Sequence, residues 1–153
     1  MNSNMYGETC GKEYYRYYGM IREVGDSLRG HDHIRYAFYN NHFYYIKAGY
    51  LWKSEDGGEN KKILNKVPQI SRGEIFVNST GIYVFDKNTF YIYDLDGNEK
   101  EPIRLYYKVE SYYICDNRIF IIMHDRENET YYASEINAET GKVNEIYTAG
   151  KKL

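Results

Sequence analysis

His31 and His33 are the residues whose type and spacing come nearest to a metal site. They flank Asp32, and alternate residues of an extended segment project to one face. Neutral imidazoles suit zinc or nickel, but a third ligand would be needed, for which His42 is the candidate. A polar linker before the first regular strand explains the same residues more simply. We therefore expect no metal and no other cofactor.

The remaining chemistry-bearing residues do not form a catalytic pattern either. Cys10 and Cys115 lie far apart, and neither belongs to a Cys-x-x-Cys motif or adjoins a histidine in sequence. Two free thiols in a reducing compartment are the simplest interpretation, and a disulfide would require export of the protein. The acidic residues concentrate in turn segments, where turn chemistry accounts for them. We therefore expect that the protein is not an enzyme.

Tyrosine is the most unusual feature of the composition, with 20 copies among 153 residues. Each tyrosine supplies area to bury, carries a hydroxyl that needs water or a partner, and favours strands. Core packing explains most of them, whereas exposed tyrosines would form a contact surface at low entropic cost. The run EYYRYY makes three residues candidates for binding: Tyr15, Tyr17 and Tyr18. The charged segment HDRENE adds four more: His124, Asp125, Arg126 and Glu127.

The chain repeats with a period near 40 residues. Phe43, Ile82 and Ile119 begin comparable strands and are 39 and 37 residues apart. Each unit contains four short strands rich in β-branched and aromatic residues, separated by turns of Asn, Asp and Gly. Four strands per unit at this period are typical of β-propeller blades. We predict one domain, divided as follows: a partial blade in residues 1–34 and blades at residues 35–68, 69–104 and 105–148.

The predicted strands are apolar on both faces. In IYVF, residues 82–85, alternate side chains point to opposite faces, and all four are apolar or aromatic. A sheet with one face in water would alternate apolar and polar residues, so these strands are expected between two neighbouring sheets. The predicted fold is all-β: a propeller-like array of three to four antiparallel four-stranded blades, either complete or lacking part of one blade. Residues 13–18 and 20–24 supply only two strands of the partial blade, which would leave an open edge and an uncovered aromatic face.

One turn carries a resemblance to a known motif. The segment LWKSEDGGENK resembles the Asp-box, Ser/Thr-x-Asp-x-Gly-x-Thr-Trp, at Ser54, Asp56 and Gly58, whereas its Asn-Lys end departs from Thr-Trp. The Asp-box lies between the third and fourth strands of blades in sialidase-like propellers, and DLDGN at residues 94–98 is a weaker version. Residues 35–147 also resemble the tyrosine-rich repeats of YWTD-like and DUF5050-type bacterial propellers. The resemblance implies a structural role for the box residues and no catalytic residue.

Charge and hydropathy limit the classes of partner. A net charge of −2, with basic residues scattered among acids, makes a nucleic-acid partner unexpected. No apolar run approaches the roughly 20 residues that cross a bilayer, and the first 15 residues contain no secretory signal. We expect a cytoplasmic protein that does not bind membranes.

These observations predict a non-catalytic protein-interaction module with an aromatic-rich, propeller-like surface. Its partner would be another protein or a second copy of the chain. A small bacterial or phage inhibitor of a larger protein would suit the size and composition. The alternatives are a carbohydrate-binding or sialidase-like glycoside-processing fragment, and a piece of a larger propeller.

Overall fold

The computed structural model describes residues 36–55, 59–68, 70 and 73–149, and every regular element in these ranges is a β-strand. The strands are β1 (Tyr36–Tyr39), β2 (His42–Lys47), β3 (Tyr50–Glu55), β4 (Glu59–Lys66), β5 (Glu74–Asn78), β6 (Gly81–Asp86), β7 (Thr89–Tyr93), β8 (Ile103–Arg104), β9 (Lys108–Cys115), β10 (Arg118–Asp125), β11 (Thr130–Asn137) and β12 (Val143–Ala149). No helix capable of spanning a membrane occurs in these ranges.

Consecutive strands form three four-stranded antiparallel sheets. Sheet 1 contains β1 to β4, sheet 2 contains β5 to β8, and sheet 3 contains β9 to β12, each in simple up-and-down order. Several connecting turns place Asn or Asp in the left-handed region, with φ of 49° at Asn40, 62° at Asn41 and 51° at Asp116. These residue types tolerate that conformation, so tight turns form at these positions. The prediction of an all-β chain built from antiparallel four-stranded units is confirmed.

Some strand boundaries differ from those that the sequence pattern predicts. The run KEPIR predicts a strand over residues 100–104, whereas β8 covers only Ile103–Arg104, after Pro102, which has no N–H to donate to a ladder. The run HDRENE predicts a loop over residues 124–129, whereas β10 continues through Asp125, which pairs with Thr130 of β11.

The sheets pack face to face through two apolar cores. One core joins sheets 1 and 2 and includes Tyr44, Ile46 and Leu51 opposite residues of β5, β6 and β7. The other joins sheets 2 and 3 and includes Phe90 and Ile119. Because sheet 2 lies between the other two, both faces of its strands must be apolar, as its sequence shows.

Hydrogen bonds also connect neighbouring sheets. The carbonyl oxygen of Asp116, in the turn before β10, accepts bonds from Asn78 Nδ2 and Thr80 Oγ1 at 2.9 Å each and from the Tyr83 hydroxyl at 3.3 Å. The Tyr112 hydroxyl of sheet 3 donates to Glu74 Oε2 of sheet 2 at 3.2 Å. Directional bonds of this kind fix one sheet against the next more specifically than apolar packing alone.

The second face of sheet 1 carries an aromatic cluster of its own. Phe43 and Tyr45 are buried there, with Phe38 and Trp52 packed against them. The rings of Tyr45 and Trp52 are nearly parallel, with centroids 6.0 Å apart. Several predicted residues lie outside the described ranges: the partial blade of residues 1–34 with Cys10, Tyr15, Tyr17, Tyr18, His31 and His33, and the turn residues Asp56 and Gly58.

Candidate functional site

The predicted charged segment lies at the end of the β10–β11 hairpin. The His124 ring stacks on the Tyr131 ring, with centroids 4.2 Å apart and planes inclined by 5°. Arg126 and Glu127 are exposed in the turn that follows. The structure therefore brings His124 and the exposed turn residues to one edge of sheet 3.

Asp125 has a structural role in this turn. Its side chain is buried; Oδ1 accepts bonds from the backbone N–H groups of Glu127 at 3.1 Å and Asn128 at 3.3 Å, and Oδ2 accepts one from Asn128 Nδ2 at 2.8 Å. The side-chain bond from Asn128 is the largest cause that lowers the pKa of Asp125 below its ordinary value. These bonds favour the ionised carboxylate of Asp125, which holds the turn.

An open cleft of about 660 Å³ borders this hairpin. Its lining combines the turn with the loop before β9: Tyr106, Tyr107, Lys108, His124, Asp125, Arg126, Glu127 and Asn128. Tyr106 is 98% exposed. Two of these residues also contact Glu110, whose Oε1 lies 3.4 Å from Lys108 Nζ and 3.6 Å from His124 Nδ1.

A second surface is the face of sheet 3 turned away from sheet 2, here called the outer face. The strand register places two rows of side chains at its centre: Tyr113, Phe120, Glu135 and Asn144 in one, and Ser111, Ile122, Ala133 and Tyr147 in the other. Arg118 lies beside the first row, with its guanidinium 5.5 Å from the centre of the Phe120 ring and 3.0 Å from Glu135 Oε1. The face therefore combines five apolar side chains with three polar ones, and the charge of Glu135 is neutralised by Arg118.

Positions on the outer face correspond to buried positions in the other sheets. The second strands of sheets 1 and 3, β2 and β10, can be aligned at Phe43 and Ile119. In this alignment Phe120 and Ile122 of sheet 3 match Tyr44 and Ile46 of sheet 1. Tyr44 and Ile46 are 1% and 3% exposed because sheet 2 covers them. In sheet 2 the matching positions pack against sheet 3 in the same way. Within the described chain, no further sheet covers the matching face of sheet 3.

Exposed apolar side chains are concentrated around this sheet. Of eight large exposed apolar residues in the described ranges, six lie between residues 106 and 147. Tyr113 and Tyr147, one on each edge strand of the outer face, are 58% and 55% exposed. Large apolar patches at the surface of a soluble domain typically mark interaction sites.

The other sequence candidates occupy structural positions. His42 Nε2 lies 3.5 Å from Glu55 Oε1, and its ring contacts the edge of Tyr44. Ser54 is buried and its hydroxyl donates to the Glu55 carbonyl oxygen at 3.5 Å. Cys115 has a free, half-buried thiol. In the part of the chain that the structure describes, no three His, Cys, Asp or Glu side chains are grouped as metal ligands.

The sequence predicted an uncovered aromatic face beside the partial blade, but it did not place such a face on sheet 3 or identify its residues. Tyr113, Phe120 and Ile122 have the same residue types and spacing as buried positions of the other units, so only the stacking order distinguishes them. Among the described sheets, sheet 3 follows sheet 2 in the stack and has no described neighbour on its other face.

Similarity to known proteins was found in structure and not in sequence, since no protein-family model and no curated protein matches this chain. A structure from a study of two prolyl endopeptidases superposes with a TM-score of 0.57 and 8% identity, over 74% of this chain and 19% of that one. A computationally designed protein superposes with a TM-score of 0.52 and 13% identity, over 76% of this chain and 36% of that one. This chain thus spans about a fifth and about a third of those proteins, and the likeness is one of fold alone.

Proposed function

We propose that this protein is a non-catalytic protein-interaction module whose binding surface is the outer face of sheet 3. One observation carries the proposal: Phe120 and Ile122 occupy positions that are buried between sheets elsewhere in the chain, yet no described sheet covers them. A surface built like an internal interface is suited to receive an apolar surface of another protein.

A propeller-like arrangement is part of the proposal. The three sheets share one strand order, follow each other along the chain at a period near 40 residues, and pack face to face in sequence. Propeller blades are stacked in this way, each covering the next. On this interpretation sheet 3 is the last described blade, and its outer face is where a further blade-like surface would pack.

The exposed tyrosines can supply useful binding free energy. Covering the exposed half of one tyrosine removes on the order of 100 Å² from water, which corresponds to about 2.5 kcal/mol. Tyr113 and Tyr147 flank the half-buried Phe120 and Ile122, so a partner would contact a continuous surface rather than isolated rings. Aromatic residues in such positions are often those that dominate binding energy.

A pair of matched substitutions tests the proposal. Tyr113→Lys places a charge on the outer face, whereas Tyr106→Lys places the same charge on the cleft, and both parent side chains are exposed enough for the variants to fold. Partner proteins captured from the native host by the full chain should be lost with Tyr113→Lys and retained with Tyr106→Lys. If both variants still captured the partner proteins, the outer face would not be the binding surface.

Carbohydrate binding is the second candidate, and the cleft is the observation that favours it. Tyr106 is almost fully exposed, and Tyr107 stacks on Tyr132 with ring centroids 5.1 Å apart, beside the charged residues of the turn. Exposed aromatic rings next to polar groups can stack on sugar rings. A glycan array and a panel of fluorogenic glycosides would identify this function, and a specific signal abolished by Tyr106→Lys would favour it over the first proposal.

A further inference from the structure

The outer face of sheet 3 has a charge distribution that permits contact with a copy of itself. Two ion pairs lie on this side of the sheet, Arg118 with Glu135 at 3.0 Å and Lys108 with Glu110 at 3.4 Å; His124 Nδ1 also lies 3.6 Å from Glu110 Oε1, and Lys142 lines the same depression as Arg118 and Glu135. The formal charges of the four groups in the two ion pairs cancel. Two identical faces can therefore approach each other without the repulsion between like charges that discourages self-association.

The dimensions of the face are adequate for a weak specific interface. Strands β9, β10 and β11 each contain eight residues and β12 contains seven. Four strands about 4.8 Å apart, with residues rising about 3.4 Å each, cover roughly 500 Å². Two copies would bury on the order of 1,000 Å², which is near the lower limit for a specific interface.

The other apolar sheet face described in the chain is not open in the same way. On the second face of sheet 1, Phe43 and Tyr45 are 0% and 4% exposed. A head-to-tail contact would need that face, whereas a contact between two outer faces of sheet 3 needs only surface that is exposed. A two-fold arrangement of the same patch is also the commonest symmetry of homo-oligomers.

We propose that the occupant of the outer face is a second copy of this chain, joined by a two-fold axis through sheet 3. The six sheets then form one continuous stack, with the two copies of sheet 3 packed at its centre. The contact uses each outer face completely, so assembly stops at two copies. The dimer uses the surface assigned under the proposed function and gives that surface a specific partner.

The ion pair of Arg118 and Glu135 provides the test. Arg118→Glu leaves each face with excess negative charge, and in a symmetric dimer the two faces carry the same excess. Sedimentation velocity over a dilution series of the full chain should show a reversible dimer, weakened about tenfold or more by Arg118→Glu. The double variant Arg118→Glu with Glu135→Arg restores neutrality in both copies and should restore the dimer.

Circular dichroism should show that all three proteins fold alike, since Arg118 is half exposed and lies at a strand end. A monomer at every concentration would overturn the dimer. If Tyr113→Lys nevertheless abolished capture of a different protein, the proposed function would stand with another occupant. A dimer that Arg118→Glu leaves unchanged would place the contact elsewhere and also overturn the inference.

Discussion

Tyr93 offers a test of how sheets 1 and 2 pack together. Its side chain is fully buried in the core between them, and its hydroxyl has no hydrogen-bond partner within the described structure. Burial is the largest cause that raises its pKa to about 12. The substitution Tyr93→Phe removes this hydroxyl and keeps the ring that fills the core.

The expected effect is an increase in stability. A buried polar group without a partner costs about 1–3 kcal/mol. Because the substitution also leaves a small unfilled space where the oxygen was, we expect Tyr93→Phe to raise the free energy of unfolding by about 1 kcal/mol.

Tyr83 is the matched control, because it is equally buried but its hydroxyl is bonded. That hydroxyl lies 2.7 Å from Thr80 Oγ1 and donates to the Asp116 carbonyl oxygen at 3.3 Å. Tyr83→Phe should therefore lower the free energy of unfolding by about 1–2 kcal/mol.

Equilibrium unfolding in urea measures both variants, with unchanged slopes required for the comparison. If Tyr93→Phe were as destabilising as Tyr83→Phe, the Tyr93 hydroxyl would have a partner that this arrangement of sheets does not provide. The packing of sheet 1 on sheet 2 would then be wrong.

Two further predictions concern turns. Gly97 has a φ of 91°, and a Cβ there would lie 2.6 Å from Leu64 Cβ, so Gly97→Ala should cost about 3 kcal/mol in a urea titration. Gly141 has a φ of 73° with no atom within 4 Å of that Cβ, so Gly141→Ala should cost only about 1 kcal/mol. Asn128→Ala should reduce stability at neutral pH, because it removes the bond that lowers the pKa of Asp125. A lowered carboxyl pKa stabilises the protein above the unfolded value of about 3.9, so the deficit of Asn128→Ala should disappear as acid protonates Asp125 in both proteins.

Each of the two turn predictions would be contradicted by a different result. If Gly97→Ala and Gly141→Ala lowered the free energy of unfolding equally, Leu64 would not lie close to Gly97. The turn before β8 would then not contact sheet 1. A deficit of Asn128→Ala that persists in strong acid would show that Asn128 acts through packing and not through the Asp125 carboxylate.

Much of the fold could be predicted because the signals were local and repeated. Turn residues such as Asn40 and Asp116 mark chain reversals, and the spacing of Phe43, Ile82 and Ile119 gives the period of the sheets. The errors arose where one residue overrides a pattern. Pro102 removes ladder bonds from the fourth strand of sheet 2, and Asp125 acts as the last residue of β10 because its carboxylate holds the turn that follows.

The candidate surface was harder to predict because it depends on which faces of the described sheets have a neighbouring sheet. Tyr44 and Phe120 are aromatic residues at matching positions, yet sheet 2 covers one and no described sheet covers the other. Local sequence contains no information about that difference. In the charged turn, Arg126 and Glu127 are exposed beside a cleft while Asp125 holds the chain, and their role in binding stays a prediction.

The central claim is that the outer face of sheet 3 receives a protein partner, and site-specific photocrosslinking in the native host tests it most directly. A photoreactive phenylalanine analogue at Tyr113 would report on the outer face, and the same analogue at Tyr50, an exposed tyrosine of sheet 1, would serve as the control. The account predicts a discrete crosslinked product, to a second copy or to another protein, from position 113 and none from position 50. Crosslinks from position 50 alone, or from neither position, would contradict it.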